Sequence, residues 1–93
     1  MVVGIVRLEL HLPAARSLKD KRQVVRSMKE RIRERVRAAV AEVEYQDLWQ
    51  RAAIGIAVVA ADGGQVRELL NSARNIVDQY AQAQVLDWQE TLQ

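Results

Sequence analysis

The sequence predicts an α+β chain built as a ferredoxin-like βαββαβ plait, with two helices on one face of a four-stranded antiparallel sheet. Three observations lead there. Stretches of period-two hydrophobicity and stretches of helical period follow one another in the order β-α-β-β-α-β. The second and third strands are separated by a connection of hairpin length. A chain of 93 residues suits a single domain spanning residues 1–93 and leaves no room for a second.

Met1-Val2-Val3-Gly4-Ile5-Val6 lacks a cationic start and a small-residue cleavage site, so it reads as the opening of a strand and not as a signal peptide. From Val6 to Leu12 the alternation is strict, with Val6, Leu8, Leu10 and Leu12 on one face and Arg7, Glu9 and His11 on the other. Pro13 has no N–H to donate and ends the ladder. Ser17 with Asp20 three residues later has the spacing of a capping box. From Leu18 to about Arg37 the period is helical, with Leu18, Val25, Met28, Ile32 and Val36 along one side.

Ala39 to Tyr45 alternates again, placing Ala41, Val43 and Tyr45 opposite Val40, Glu42 and Glu44. Arg51 to Ala60 is β-branched and alanine-rich and apolar on both faces, as suits a central strand. Asp62 caps a second helix whose Val66, Leu69, Leu70, Ala73, Ile76, Val77 and Tyr80 recur at helical spacing. Gln84 to Leu92 forms the last strand, with Leu86, Trp88 and Leu92 on one side. The longest apolar run, Ala52 to Ala61, is far shorter than the roughly 20 residues of a membrane-spanning helix. A cytoplasmic protein without a membrane partner is expected.

Charge is the second theme. Hydrophobic residues make up 49% and charged residues 28% of the chain, and the formal net charge is only +2. Residues 16–37 hold ten of the fourteen cations and three acids, a charge of +7, while the other 71 residues hold four cations and nine acids, a charge of −5. On a helical wheel, Lys19, Arg22, Arg26, Lys29, Arg33 and Arg37 occupy one continuous strip beside the apolar arc. Like charges at i,i+4, as in Arg22 with Arg26, cost stability, and cations at a helix start oppose its dipole. The strip has two readings. It is a phosphate-contacting face, most simply for RNA, or it is a solvated surface whose arginines reflect genome composition or heat adaptation. Arg16, Ser17, Lys19 and Arg22 at the helix start form a candidate small-anion site. Lys21 projects toward the apolar arc, where its stem is expected to snorkel to the sheet edge.

Catalytic signals are weak. The absence of cysteine excludes disulfides and thiolate metal sites, and one histidine leaves little for an imidazole cluster. His11, Glu9 and Arg7 share a strand face, but no nucleophile converges on them. Ser17, Ser27, Ser72 and Thr91 have no evident base, and Asp47, Asp62 and Asp87 lack metal-loop spacing. No catalytic residue, metal ligand or cofactor is expected, and the chain reads as no enzyme. Acylphosphatases share this topology, but the turn Leu12-Pro13-Ala14-Ala15-Arg16 is not a glycine-rich phosphate loop. RNA-recognition motifs stack bases on sheet aromatics, whereas the open face here is read as Arg7, Glu9, Glu42, Ala53, Gly55 and Ala57. That small, mixed-charge face would suit a second copy. Trp49 is either tucked over the sheet edge, the reading favoured here, or held out as a binding anchor. Trp88 is assigned to the core layer beneath the helices.

Ser17-Leu18-Lys19-Asp20-Lys21-Arg22, Ala41-Glu42-Val43 and Gln46-Asp47-Leu48-Trp49-Gln50-Arg51-Ala52 together resemble the YlxP-like family of small bacterial proteins, over nearly the whole chain. The resemblance implies a ferredoxin-like fold and a function formally unknown. The family's genes often lie among those for transcription termination and translation initiation factors and a ribosome-binding factor, which implies a ribosome- or RNA-associated role. It carries over no catalytic residue. It draws attention to Lys19, Asp20, Lys21 and Arg22, and to Asp47, Trp49, Gln50 and Arg51 as partner-binding candidates. The expectation is a non-enzymatic accessory protein that binds RNA or a ribosomal particle through the first helix. The alternatives are a homodimeric interaction module meeting an acidic protein, and small-anion binding at the start of that helix.

Overall fold

A computed structural model describes residues 1–93. Its elements are β1 (Val2–His11), α1 (Leu18–Val36), β2 (Ala39–Glu44), β3 (Arg51–Ala60), α2 (Gly63–Asp78) and β4 (Gln84–Leu92). The sheet order is β2-β3-β1-β4 with every neighbouring pair antiparallel. This is the ferredoxin-like plait. The core lies between the sheet and the two helices. Val6, Leu8, Leu10 and Leu12 meet Ile54, Ile56 and Val58 of β3, then Met28 and Ile32 of α1 and Val66, Leu70 and Val77 of α2. Gly4 sits where α2 crosses β1. A Cβ there would collide with Val66 and stand 3.0 Å from Leu70 Cδ1, so the close approach requires glycine.

Both helices start on side-chain caps. Ser17 Oγ accepts from Asp20 N at 3.0 Å, and the Asp20 carboxylate accepts from Arg16 N at 2.9 Å. Asp62 Oδ1 accepts from Gln65 N at 2.9 Å while Gln65 Oε1 accepts from Ala61 N at 3.2 Å. Helix α1 stops at Arg37, whose left-handed backbone (φ 56°) lets its N–H bond Arg33 O. Tyr80, read from periodicity as part of α2, lies just past its end. Its hydroxyl and Ser27 Oγ share a hydrogen bond of 2.7 Å, and Arg31 lies over its ring. Ser27 is thereby tied to structure.

Strand β1 begins at Val2, in agreement with the reading of the first six residues as the opening of a strand. Period alone misplaces two features. The ladder between β2 and β3 is shifted between Glu42 and Glu44, so Glu44, grouped by period with Val40 and Glu42, instead meets Arg7 on the open face. Val43 covers Gly55 on that face, and Glu42, on the side of Val40, points toward Lys21 of α1. The reading of Glu42 as outward-facing is therefore corrected. In β4 the shift falls at Leu86, which is 52% exposed, and Val85 takes the inward place beside Trp88. Trp88 does pack against the core, with Arg74 stacked on its ring.

The largest departure is Lys21. It does not snorkel, and it is the sole buried charged residue, at 0% exposure. Its ammonium donates to the carbonyls of Tyr45 (2.8 Å), Gln46 (3.2 Å) and Arg51 (3.3 Å) and ion-pairs with Glu42 Oε2 at 3.0 Å. That oxygen is buried and accepts no other hydrogen bond. Burial of a charge is tolerated when it is paired and its protons are all engaged. The three carbonyls belong to the β2–β3 hairpin, so one side chain of α1 ties the helix to both ends of that turn. Tyr45 adopts φ 64°, a costly conformation for a bulky residue that the surrounding bonds must hold. Lys21→Met should lower stability by about 3–5 kcal/mol, because it leaves Glu42 unpaired and the hairpin carbonyls unbonded. Lys19→Met, on the exposed face two residues away, should change it by less than about 0.5 kcal/mol. Urea unfolding of both variants checks the contrast.

Candidate nucleic-acid interface

The basic strip occupies one flank of α1. Arg33 donates to the carbonyl of Val40 on β2 at 2.6 Å, which places that flank beside the β2 edge of the sheet. The opposite flank carries Arg31 against Gln79 and Tyr80, toward α2. Because β2 returns antiparallel to α1, the strip runs from Arg37 near the start of β2 to Arg22 and Lys19 beside the hairpin. Arg22, Arg26, Arg33, Arg37 and Lys19 are exposed and Lys29 is half-buried. The chain has five ion pairs, and none involves the strip. Even Glu30 and Glu34, on the same helix, leave these cations unpaired. Arg33 is the exception among the six in having a hydrogen-bonded guanidinium, and its contact with Val40 occupies only part of its donor fork.

Arg16, Ser17, Lys19 and Arg22 do gather at the start of α1. Ser17 Oγ is committed to the cap, and the Asp20 carboxylate already stands over the preceding N–H. The positive end of the helix thus carries an anion of its own chain, which weakens the case for a small-anion site there.

On the open face of the sheet, Arg7 and Arg51 share the Glu9 carboxylate at 2.6 and 2.7 Å, and Arg7 also reaches Glu44 at 3.0 Å. Ala53 is completely buried beneath this network. The hydrogen bond from Arg7, then that from Arg51, holds the Glu9 carboxyl below the usual carboxylate range. The same contacts raise both guanidinium groups. His11 stands apart, its Nδ1 lying 3.3 Å from Gln84 Oε1 at the neighbouring strand. The side chains of Arg7, Glu9 and His11 thus form no acid–base trio. No group of three His, Asp or Glu side chains is arranged to hold a metal ion, and no helix is long and apolar enough to cross a membrane.

Asp47, Trp49, Gln50 and Arg51 come together. With His11 and Leu48 they line an open hollow of ≈ 470 Å³ at the hairpin end of the sheet. Trp49 is 53% exposed, so the expectation that it packs over the sheet edge is corrected. The reason is that the turn is fastened from behind. Lys21 holds Tyr45, Gln46 and Arg51, and Gln50 Nε2 donates to Pro13 O and Ala15 O at 3.1 and 3.2 Å. Leu12 N donates to Gln50 O at 2.9 Å. The part played by Leu48 and His11 in the hollow had no signal in spacing or composition.

Residues 3–90 match the model of a family described as "Protein of unknown function (DUF503)". The chain belongs to the DUF503 family. It is also similar to the uncharacterized protein YlxP of Bacillus subtilis (strain 168), with 30% identity over 79 residues that cover 85% of this chain and 86% of that protein. The family description assigns no role to any residue, so the DUF503 fold is a scaffold on which the strip and the hollow must be judged by their own chemistry.

The Glu9 network yields a pH dependence of defined sign. A carboxyl held low in the folded state adds stability that is present above its ordinary value, about 4, and is lost as pH falls through the depressed one. The urea midpoint of the native protein should exceed that of Glu9→Gln at pH 7, and the gap should close as pH falls below about 4. A gap of constant size across that range would contradict this assignment.

Proposed function

We propose that this DUF503 protein is a non-enzymatic accessory factor that docks α1 on the phosphates of structured RNA, free or within a ribosomal particle. The observation that carries the reading is the strip. Six cations lie in line along one helix flank, none in an ion pair, although like-charge neighbours cost stability and acids were within reach on the same helix. Apart from the bond of Arg33 to Val40, no side-chain hydrogen bond of these cations ties them to the fold. Arginine predominates, and its planar fork bonds two phosphate oxygens at once. The flank borders a sheet edge instead of a cleft, as suits a convex surface following a nucleic-acid backbone.

If four to six cations engage phosphates, a log–log plot of affinity against salt should slope by about −3 to −5. Arg22→Glu with Arg26→Glu should weaken binding roughly a hundredfold at low salt. Arg67→Glu on α2, equally exposed, should change it little. Fluorescence anisotropy with a labelled structured RNA measures all three. Absence of binding at low salt would sink the proposal.

A second reading is favoured by one observation. The open face beyond the Glu9 network is apolar, with Ile5, Val43 and Val59 exposed around the small residues Ala41, Gly55 and Ala57. A second copy could lay its own face there, large side chains against the small. Sedimentation should then show a dimer that Val59→Asp converts to monomer, and a native monomer at high concentration removes this reading.

A further inference from the structure

We infer that Trp49 is the stacking platform for an unpaired base of the RNA that α1 grips. The inference rests on the phosphate-binding reading of the strip and adds to it a site that distinguishes single-stranded nucleotides from duplex. Three facts meet at the hairpin.

First, the loop is rigid where the tryptophan is exposed. Its backbone is held by Lys21 at three carbonyls, and Gln50 is held at both its own carbonyl and its side-chain amide. A half-exposed indole on such a frame is displayed, and the backbone that carries it needs no further ordering to present it. Second, the hollow has the composition a base requires. A base is a flat ring with a polar rim, and here one aromatic face lies among Asp47, Gln50, Arg51 and His11. The Asp47 carboxylate can accept from the N–H groups of a purine edge. Four of the six lining residues, His11, Asp47, Gln50 and Arg51, bring polar groups to the rim of the hollow. Third, the strip and the turn share one end of the molecule. The strip on α1 ends at Arg22 and Lys19, on either side of the Lys21 whose ammonium holds the carbonyls of Tyr45, Gln46 and Arg51. A strand whose phosphates follow the strip is led toward the turn that carries Trp49. The open sheet face offers no competing platform, since Tyr45 is covered by Arg51 at 4.7 Å.

The test compares a short blunt RNA duplex with the same duplex carrying a single-stranded purine extension. The blunt probe reports the strip, and the gain from the extension reports Trp49. The extension should raise affinity by about 5- to 100-fold, the range for stacking one base on an aromatic side chain. Trp49→Ala should abolish that gain while leaving blunt-duplex affinity unchanged, and Trp49→Phe should retain most of it. In a Trp88→Phe background, the extension should quench the remaining indole emission. Melting curves of the Trp49 variants confirm that the fold persists. An extension that adds no affinity overturns the inference and leaves the indole to a protein partner. A gain that survives Trp49→Ala, or an equal loss with both probes, overturns it as well. Failure of the blunt duplex to bind strikes the strip instead, and so separates the two.

Discussion

The ammonium of Lys21 is the fixed point of this molecule. A lysine buried without partners would be expelled or neutralised, so its burial obliges the chain to supply a counter-charge and a ring of acceptors. Glu42 and the carbonyls of Tyr45, Gln46 and Arg51 supply them. These contacts bring the inward-facing Glu42, the left-handed Tyr45 and the start of β3 onto one side chain of α1. The helix and the hairpin are thereby bonded to one another. Whatever α1 binds, the hairpin is carried to it in a set orientation.

Around that point the molecule divides its charges by use. Arg7, Glu9, Glu44 and Arg51 neutralise one another on the open sheet face and hide Ala53. Arg31 and Arg74 spend their guanidinium groups on Tyr80 and Trp88. The strip on α1 keeps six cations out of any ion pair. Arg16, Arg35 and Arg67 are unpaired as well, so what sets the strip apart is that its cations lie in line on one flank.

The strand faces of β1 and β3, both helix starts and the element order were legible in the residues, since each depends on neighbours a few positions away. Ser17 with Asp20 and Asp62 with Gln65 are local hydrogen bonds, and Val6 to Leu12 is local periodicity. What was hidden depends on contacts between distant segments. Lys21 on a helical wheel is a polar intruder on an apolar arc, and only the hairpin 24 or more residues later turns it into a clasp. Leu86 and Glu44 sit at register shifts, where one extra residue exchanges inside for outside. Trp49 was misjudged because its exposure depends on the path of a turn held by Lys21 and by Gln50 bonded back to Pro13 and Ala15, contacts between segments far apart in sequence. The strip itself was visible, but its flank beside β2 was set by Arg33 and Val40.

That last contact bears on solubility. Strand β2 is a sheet edge, and an edge with open carbonyls is a template for strands of other molecules. Arg33 occupies the carbonyl of Val40, the strand is only six residues long, and the shift near Glu42 breaks its ladder. A foreign strand approaching there meets a guanidinium and a row of like charges before it meets a free acceptor. The cations that suit a polyanion therefore also guard the protein against edge-to-edge aggregation.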